Sequence, residues 1–285
     1  MGEDMNLDAV RDLKALFVGD AIIDEYKYVT PLGKSIKEPV ISTKLQSLES
    51  FHGGVWAAAA HVRDLCARVD VMTGMQLMVN TRFVDPTYTR KLFTLHEQRQ
   101  LDAIECGFVI QDYDVVVIAD FGHGAMTPEV ITELSGSARF LAVNAQTNSQ
   151  NFGFNLISKY EHADIVVLDE LEARLAVHDR DSSLEDVILK LGKRRNYKRV
   201  IVTCGSKGAI GYDGEFHQAD AMTTTVVDTI GAGDAVLAVT AVLAAAGASM
   251  RDLVRIGNAA GAVKCGIVGH RQHVTRAALE ERLAA

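Results

Sequence analysis

The chain has 285 residues, 48% hydrophobic and 23% charged, enough to bury one large core. Its formal net charge of −8 disfavours nucleic-acid backbones as partners, so any anionic ligand must be met by local donors. The four cysteines, Cys66, Cys106, Cys204 and Cys265, form no CxxC pair or His/Cys cluster, which argues against a disulfide framework or a zinc site and for free thiols in a reducing cytoplasm.

The opening MGEDMNLDAVRDLK is acidic and polar, so it does not read as a signal peptide. Lys14–Gly19 (KALFVG) predicts a buried strand, with Asp24 shortly after it. Glu25–Phe51 alternates in character, as does Thr81–His96, and both predict antiparallel strands exposed on one face. A small β-lid over about residues 25–51 and 81–97 accounts for them. Between the two lid segments lie His52-Gly53-Gly54 and a strand over Val69–Gly74 (VDVMTG). Asp114–Asp120, Phe140–Asn144, Asp164–Asp169 and Arg199–Cys204 are further apolar runs without polar alternation, as expected of strands covered on both faces of a parallel sheet. Met126–Leu134, after a Thr-Pro pair, and Ser182–Leu191, opening Ser-Ser-Leu-Glu, read as intervening helices. The apolar run Ala235–Ala248 is too short to span a bilayer and reads as a buried helix. The whole, 1–285, is expected to be a single α/β domain built from right-handed βαβ units.

The strongest local signal is Asp228-Thr229-Ile230-Gly231-Ala232-Gly233-Asp234, running directly into that helix. Two glycines permit a tight turn, and the first N–H groups of a helix lack intrahelical partners, which together make an anion site suited to phosphate. A carboxylate inside such a site repels the ligand. It makes sense where it takes a proton from a hydroxyl beside a phosphoryl group in transfer. A glycine turn capped by aspartate is the plainer alternative.

The string resembles the C-terminal DTxGAGD signature of the PfkB or ribokinase family of carbohydrate kinases. The resemblance implies a ribokinase-like three-layer α/β fold with a mainly parallel central sheet and a β-lid. It implies ATP and Mg²⁺ as cofactors and transfer of a phosphoryl group to a hydroxyl of a sugar or sugar-phosphate-like substrate. By the same resemblance Asp234 is the general base, and Gly231, Ala232 and Gly233 line the anion hole. Asp24, Gly53, Gly54 and Asn144 face the substrate. Thr203, Gly205, Lys207 and Gly208 of the TCGSKG stretch, with Asp228, Thr229 and Asn258, serve the nucleotide. Glu172 organises Mg²⁺ through water, beside Asp169, where the family's NxxE motif has asparagine. A homodimer through the lid is a further expectation.

The opening FVGDAIIDEYKYV and the stretch VVVIADFGHGAMT are similar to the kinase part of heptose-7-phosphate kinases. Several substrate-side positions differ: Ala57 replaces an asparagine after the glycine pair, His123 a lysine, and Asn144-Ala145-Gln146 an acidic-Pro-Lys run. A changed set of contacts suggests a changed substrate. No HxGH-type nucleotidyltransferase segment is present, so the bifunctional version of that enzyme is not expected of this chain. Relative to the family, about one α/β unit is missing after Gly74. That departure keeps open a catalytically impaired, nucleotide-binding scaffold. A dinucleotide-binding oxidoreductase is disfavoured, because the first strand runs into GDAIID rather than GxGxxG.

Overall fold

A computed structural model describes residues 7–88, 90–97, 101–222 and 225–285. The first six residues, read above as part of a polar N-terminus, and Thr89 of the second lid segment lie outside the described residues.

In chain order the strands are β1 (Lys14–Gly19), β2 (Ala21–Lys34), β3 (Ile41–Gly54), β4 (Arg68–Met72), β5 (Met78–Asp85), β6 (Arg90–Glu97), β7 (Val115–Asp120), β8 (Leu141–Ala145), β9 (His162–Ala163), β10 (Ile165–Asp169), β11 (Asn196–Tyr197), β12 (Val200–Thr203), β13 (Ala209–Tyr212) and β14 (Phe216–Ala219). The helices are α1 (Val55–Ala60), α2 (Pro128–Ser137), α3 (Glu170–Val177), α4 (Leu184–Arg194), α5 (Ala232–Ala245), α6 (Met250–Cys265) and α7 (Arg276–Ala284). The main sheet has the order β14-β13-β12-β10-β8-β7-β1-β4. It is parallel from β4 to β12 and antiparallel from there to β14. β7 is buried at every position, as its unbroken apolar run demands of a strand covered on both faces. The helix starts are chemically marked. Thr127 and Ser183 accept from the backbone of α2 and α4, and Pro128 occupies the first turn of α2.

The lid is a second sheet of order β3-β2-β5-β6. Its two hairpins are antiparallel, as the alternation predicts, but its central pair β2–β5 is parallel. The reason lies in the connection. From β2 the chain returns along β3, passes α1 and β4 and re-enters the lid at β5, so the two hairpins lie side by side and not in series. Residues 73–77 join β4 to β5 with no helix between them, and β4 ends as the outer strand of the main sheet. No helix among the described residues is long and apolar enough to cross a membrane.

The parallel strands deliver polar residues at their C-terminal ends: Asp20 after β1, Asp120 on β7, Asn144 on β8, Asp169 on β10 and Thr203 on β12. This is the edge at which open α/β sheets bind ligands. Strand β1 can reach it only because Gly19, opposite Ala119 in register, has no side chain. A Cβ there would lie 2.0 Å from the Ala119 carbonyl oxygen. Gly19→Ala is therefore expected to destabilise the fold by about 3 kcal/mol in urea denaturation. Gly192 in α4 has open space around its Cβ position, so Gly192→Ala should stabilise by about 0.5–1 kcal/mol in the same measurement.

Candidate functional site

Two clefts meet at the turn that opens α5. Gly231 adopts the left-handed region, φ 79°, and caps the helix, so the chain reverses within one residue and α5 begins at Ala232. One cleft, about 330 Å³, is lined by Asp24, Gly54, Asn144, Asp169, Glu172, Gly231, Gly233 and Asp234. The other, about 280 Å³, is lined by Gly205, Gly208, Met222, Ala232, Val236, Asn258 and Gly261. Thr203, Thr229 and Gly233 border both. The turn is thus the partition between a polar cleft and one walled by small and apolar groups.

Asp234 sits in the first turn of α5 and is buried. Burial pushes its carboxyl up to about 6; His270 and Lys264 pull it down, and Asp24 adds to the rise. Asp24, on β2, has the opposite balance. Burial opposes its ionisation, but a hydrogen bond from His270 and the charge of Arg82 overcome it and hold the carboxyl below its usual range. His270 Nε2 lies 3.2 Å from Asp24 Oδ2, and Arg82, on β5, bonds Oδ1. One cleft therefore contains a carboxylate that stays ionised and another poised to exchange a proton near neutrality.

Gly53 packs directly behind Asp24, where a Cβ would come within 2.4 Å of Asp24 Oδ2; its neighbour Gly54 is the one that lines the cleft. Asn144 donates to the Val167 carbonyl at 2.9 Å and to Glu172 Oε2 at 3.3 Å. Asp169 and Glu172 form a reciprocal capping box at the start of α3: Asp169 Oδ1 accepts from Glu172 N at 2.7 Å, and Glu172 Oε2 accepts from Asp169 N at 2.9 Å. Glu172 also accepts from Thr147 N at 2.9 Å. Burial, and then the nearby Asp169 carboxylate, raises the Glu172 carboxyl.

On the other side, Gly205 and Gly208 flank a short turn between β12 and β13, and both line the second cleft. Asn258 of α6 lines it too, while its side-chain amide donates to the Ala219 carbonyl at 2.9 Å. Lys207 is exposed and borders neither cleft. Asp228 also lines neither. Its carboxylate accepts from Tyr26 and Lys91 of the lid, at 2.9 and 2.7 Å, and from the amides of Ile230 and Gly269, at 3.2 and 2.9 Å. Burial opposes its ionisation, yet these donors hold it at about 2. Asp228 is a bracket between lid and turn, not a wall of the nucleotide-side cleft.

Three residues of the site are missing from the sequence reading. Arg82 lies in the lid segment without a motif around it. His270 follows α6 in a stretch with no recognisable string. Lys264, inside the small-residue helix GNAAGAVKCG, is fully buried beneath the turn. Beyond Arg82 the polar cleft continues into a recess of about 270 Å³ with Asn80, His96, His123, Gln146 and Asn148 on its walls. His123, read above as the replacement for a family lysine, thus stands in this recess.

Comparison with known proteins gives these clefts a setting. The pattern described as pfkB family carbohydrate kinase matches residues 86–275. The chain is 26% identical to the bifunctional protein HldE of Shewanella baltica strain OS185 over 318 aligned positions, covering 98% of this chain and 65% of that protein. It therefore spans about two thirds of the length of the curated relatives it matches. The 318 positions exceed the chain's 285 residues by 33, so this relative carries segments with no counterpart here. Among solved structures, Thermotoga maritima ribokinase superposes with a TM-score of 0.75 at 18% identity, covering 96% of this chain and 100% of that one. Arabidopsis thaliana ribokinase complexed with ribose and ATP gives 0.71 at 14%, covering 96% and 99%. The fold is ribokinase-like, and with well over half of its 285 residues inside the family match, the chain belongs to the pfkB family of carbohydrate kinases.

Proposed function

We propose that this protein phosphorylates a hydroxyl of a small sugar or sugar-phosphate-like substrate with ATP, Asp234 acting as the general base. The observation that carries this reading is the position of the 231–233 turn as the shared wall of two clefts, with the Asp234 carboxyl on the polar side. The relatives named bifunctional protein HldE and the ribokinase complexed with ribose and ATP support the same class of reaction.

The acceptor enters the polar cleft. Asp24, ionised and clamped by Arg82 and His270, accepts hydrogen bonds from substrate hydroxyls and orients the one that reacts. ATP occupies the cleft between the Gly205–Gly208 turn and Asn258, its terminal phosphate at the 231–233 amides. The helix N-terminus stabilises charge developing on the phosphoryl oxygens. Asp234 takes the hydroxyl proton as the new P–O bond forms and the bond from the γ-phosphorus to the β–γ bridging oxygen breaks, releasing ADP. The residues also fit Mg²⁺. Asp169 and Glu172 place two carboxylates side by side, with Asn144 adding a hard oxygen donor, and a cation would offset both the burial and the Asp169 charge that raise Glu172. Bound there, Mg²⁺ would neutralise phosphate charge. The lid closes the acceptor side and excludes water, so ATP is not hydrolysed in place of transfer.

A second copy of the chain is proposed to cover the lid. Leu45 and Leu48 of β3 and Phe93 and Leu95 of β6 are all more than half exposed on its two outer strands, an arrangement that leaves apolar groups and sheet edges to water. Replacing Leu48 and Phe93 by glutamate should convert a dimer to a monomer in sedimentation analysis. A wild-type mass of one chain at all concentrations would exclude the dimer.

Asp234→Asn is expected to lower kcat by ~10²–10⁴ while ATP affinity is retained, measured by ADP release with a panel of sugars and sugar phosphates and by calorimetry. Normal turnover in this variant would remove Asp234 from its role, and ATP binding without any phosphorylated product in the wild type would favour a scaffold. Because the base must be ionised, kcat should rise with pH through about 6 and level off above it. The same shift has a stability counterpart. A carboxyl whose folded pKa is raised binds its proton more tightly in the native state, so stability is lost as pH climbs from about 4 through 6. At pH 7 Asp234→Asn should therefore be more stable than wild type, by roughly 2–3 kcal/mol.

A further inference from the structure

Lys264 is fully buried, with no exposed surface. Lysine is almost never found so unless its charge is met. Its Nζ donates to the Ile230 carbonyl and to the Gly269 carbonyl, both at 2.7 Å. Burial disfavours the charged form, and the carboxylates of Asp228 and then Asp234 oppose that effect. The contact with the turn is close: a Cβ on Gly231 would lie 3.1 Å from Lys264 Cε and 2.9 Å from His270 Cε1.

The bond to Ile230 has a directional consequence. In a trans peptide the C=O and the following N–H point to opposite sides, and the chain contains no cis bonds among its described residues. Holding the Ile230 carbonyl toward the buried lysine therefore aims the Gly231 N–H away from it. We place the polar cleft on that side, since Ile230, Gly231 and Asp234 line it and Lys264 does not.

We propose that Lys264 is a positioning residue for phosphoryl transfer: its ammonium is a tethered cation, held by the Ile230 and Gly269 carbonyls, that sets the direction of the Ile230–Gly231 peptide and so presents the turn's amides to the phosphoryl group. This rests on the kinase reading for its consequence but not for its geometry. The two carbonyls and the neighbouring carboxylates form a site for one positive charge, and the protein fills it from its own α6. Removal of the side chain leaves an acidic, carbonyl-lined hole that a free ammonium or potassium ion can enter, since carbonyl oxygens replace a cation's hydration shell.

The test is chemical rescue. Lys264→Ala should lose ~10²-fold in kcat, the loss seen when an oxyanion donor is misplaced, with ATP affinity changed little. Ammonium or potassium chloride should restore kcat by at least ~10-fold, and tetramethylammonium chloride at equal ionic strength should not. Lys264→Met, which refills the hole without charge, should show the same loss and no restoration. The wild type should not respond to any of these salts. A folded alanine variant with normal kcat, or one restored by no small cation, would overturn the proposal. If Lys264→Ala unfolds, recovery of its circular dichroism in ammonium but not tetramethylammonium supports the role, and no recovery overturns it. Melting temperature reports on the tethered cation independently of catalysis. Should the wild type phosphorylate nothing, a rise in melting temperature confined to ammonium and to the alanine variant still upholds the tethered cation. An equal response in variant and wild type refutes it.

Discussion

Two buried charges grip the segment between Asp228 and Asp234, and the site depends on that grip. The Asp228 carboxylate takes the N–H groups of Ile230 and Gly269. The Lys264 ammonium takes the C=O groups of the same two residues. The N–H and the C=O of each of these two residues are therefore satisfied by side chains, one acidic and one basic. A left-handed glycine turn without such partners would leave buried backbone groups unpaired, each at a cost of about 1–3 kcal/mol. Charges as buried as these are expensive to desolvate, and removing either partner alone would strand the other.

The same carboxylate joins the lid to the turn. Tyr26 of β2 and Lys91 of β6 both end on Asp228, and Tyr26, Tyr28 and Val84 form a small apolar cluster against which Ile230 and Val268 pack. The lid and the turn are thus joined twice, through the Asp228 carboxylate and through this cluster. The two cleft carboxylates, by contrast, are tuned apart by their surroundings. Asp24 has His270 and Arg82 for partners and stays ionised; Asp234, equally deep, gains no such hydrogen bond among the described residues and rises toward neutrality. That difference is paid for in folding stability, a common trade at reactive groups.

Much of the architecture was legible in the sequence. The apolar runs become β1, β7, β8, β10 and β12 with ends shifted by at most one residue, because an unbroken Val/Ile/Leu stretch is best buried in a strand covered on both faces. The lid was legible as two alternating segments but the parallel join between their hairpins was not, since alternation within a strand does not say which distant strand lies beside it. The 228–234 string announced a turn and a helix start. Asp228 was read with the nucleotide because it belongs to that string, and only its four donors reveal a bracket. Asp169 and Glu172 stand three residues apart, a spacing shared by a metal pair and a capping box, and here one geometry serves as both cap and cleft wall.

What the sequence determined by itself is local: which segments are strands, where helices begin, and that a glycine turn with an adjacent carboxylate precedes α5. These follow from side-chain periodicity and from the backbone freedom of single residues, which act over a few positions. The tertiary structure alone decided that Arg82, Lys264 and His270 converge with Asp24 and Asp234, and which carboxylate is held ionised. Electrostatic coupling depends on separation in space and on exclusion of water, and neither quantity is written along the chain.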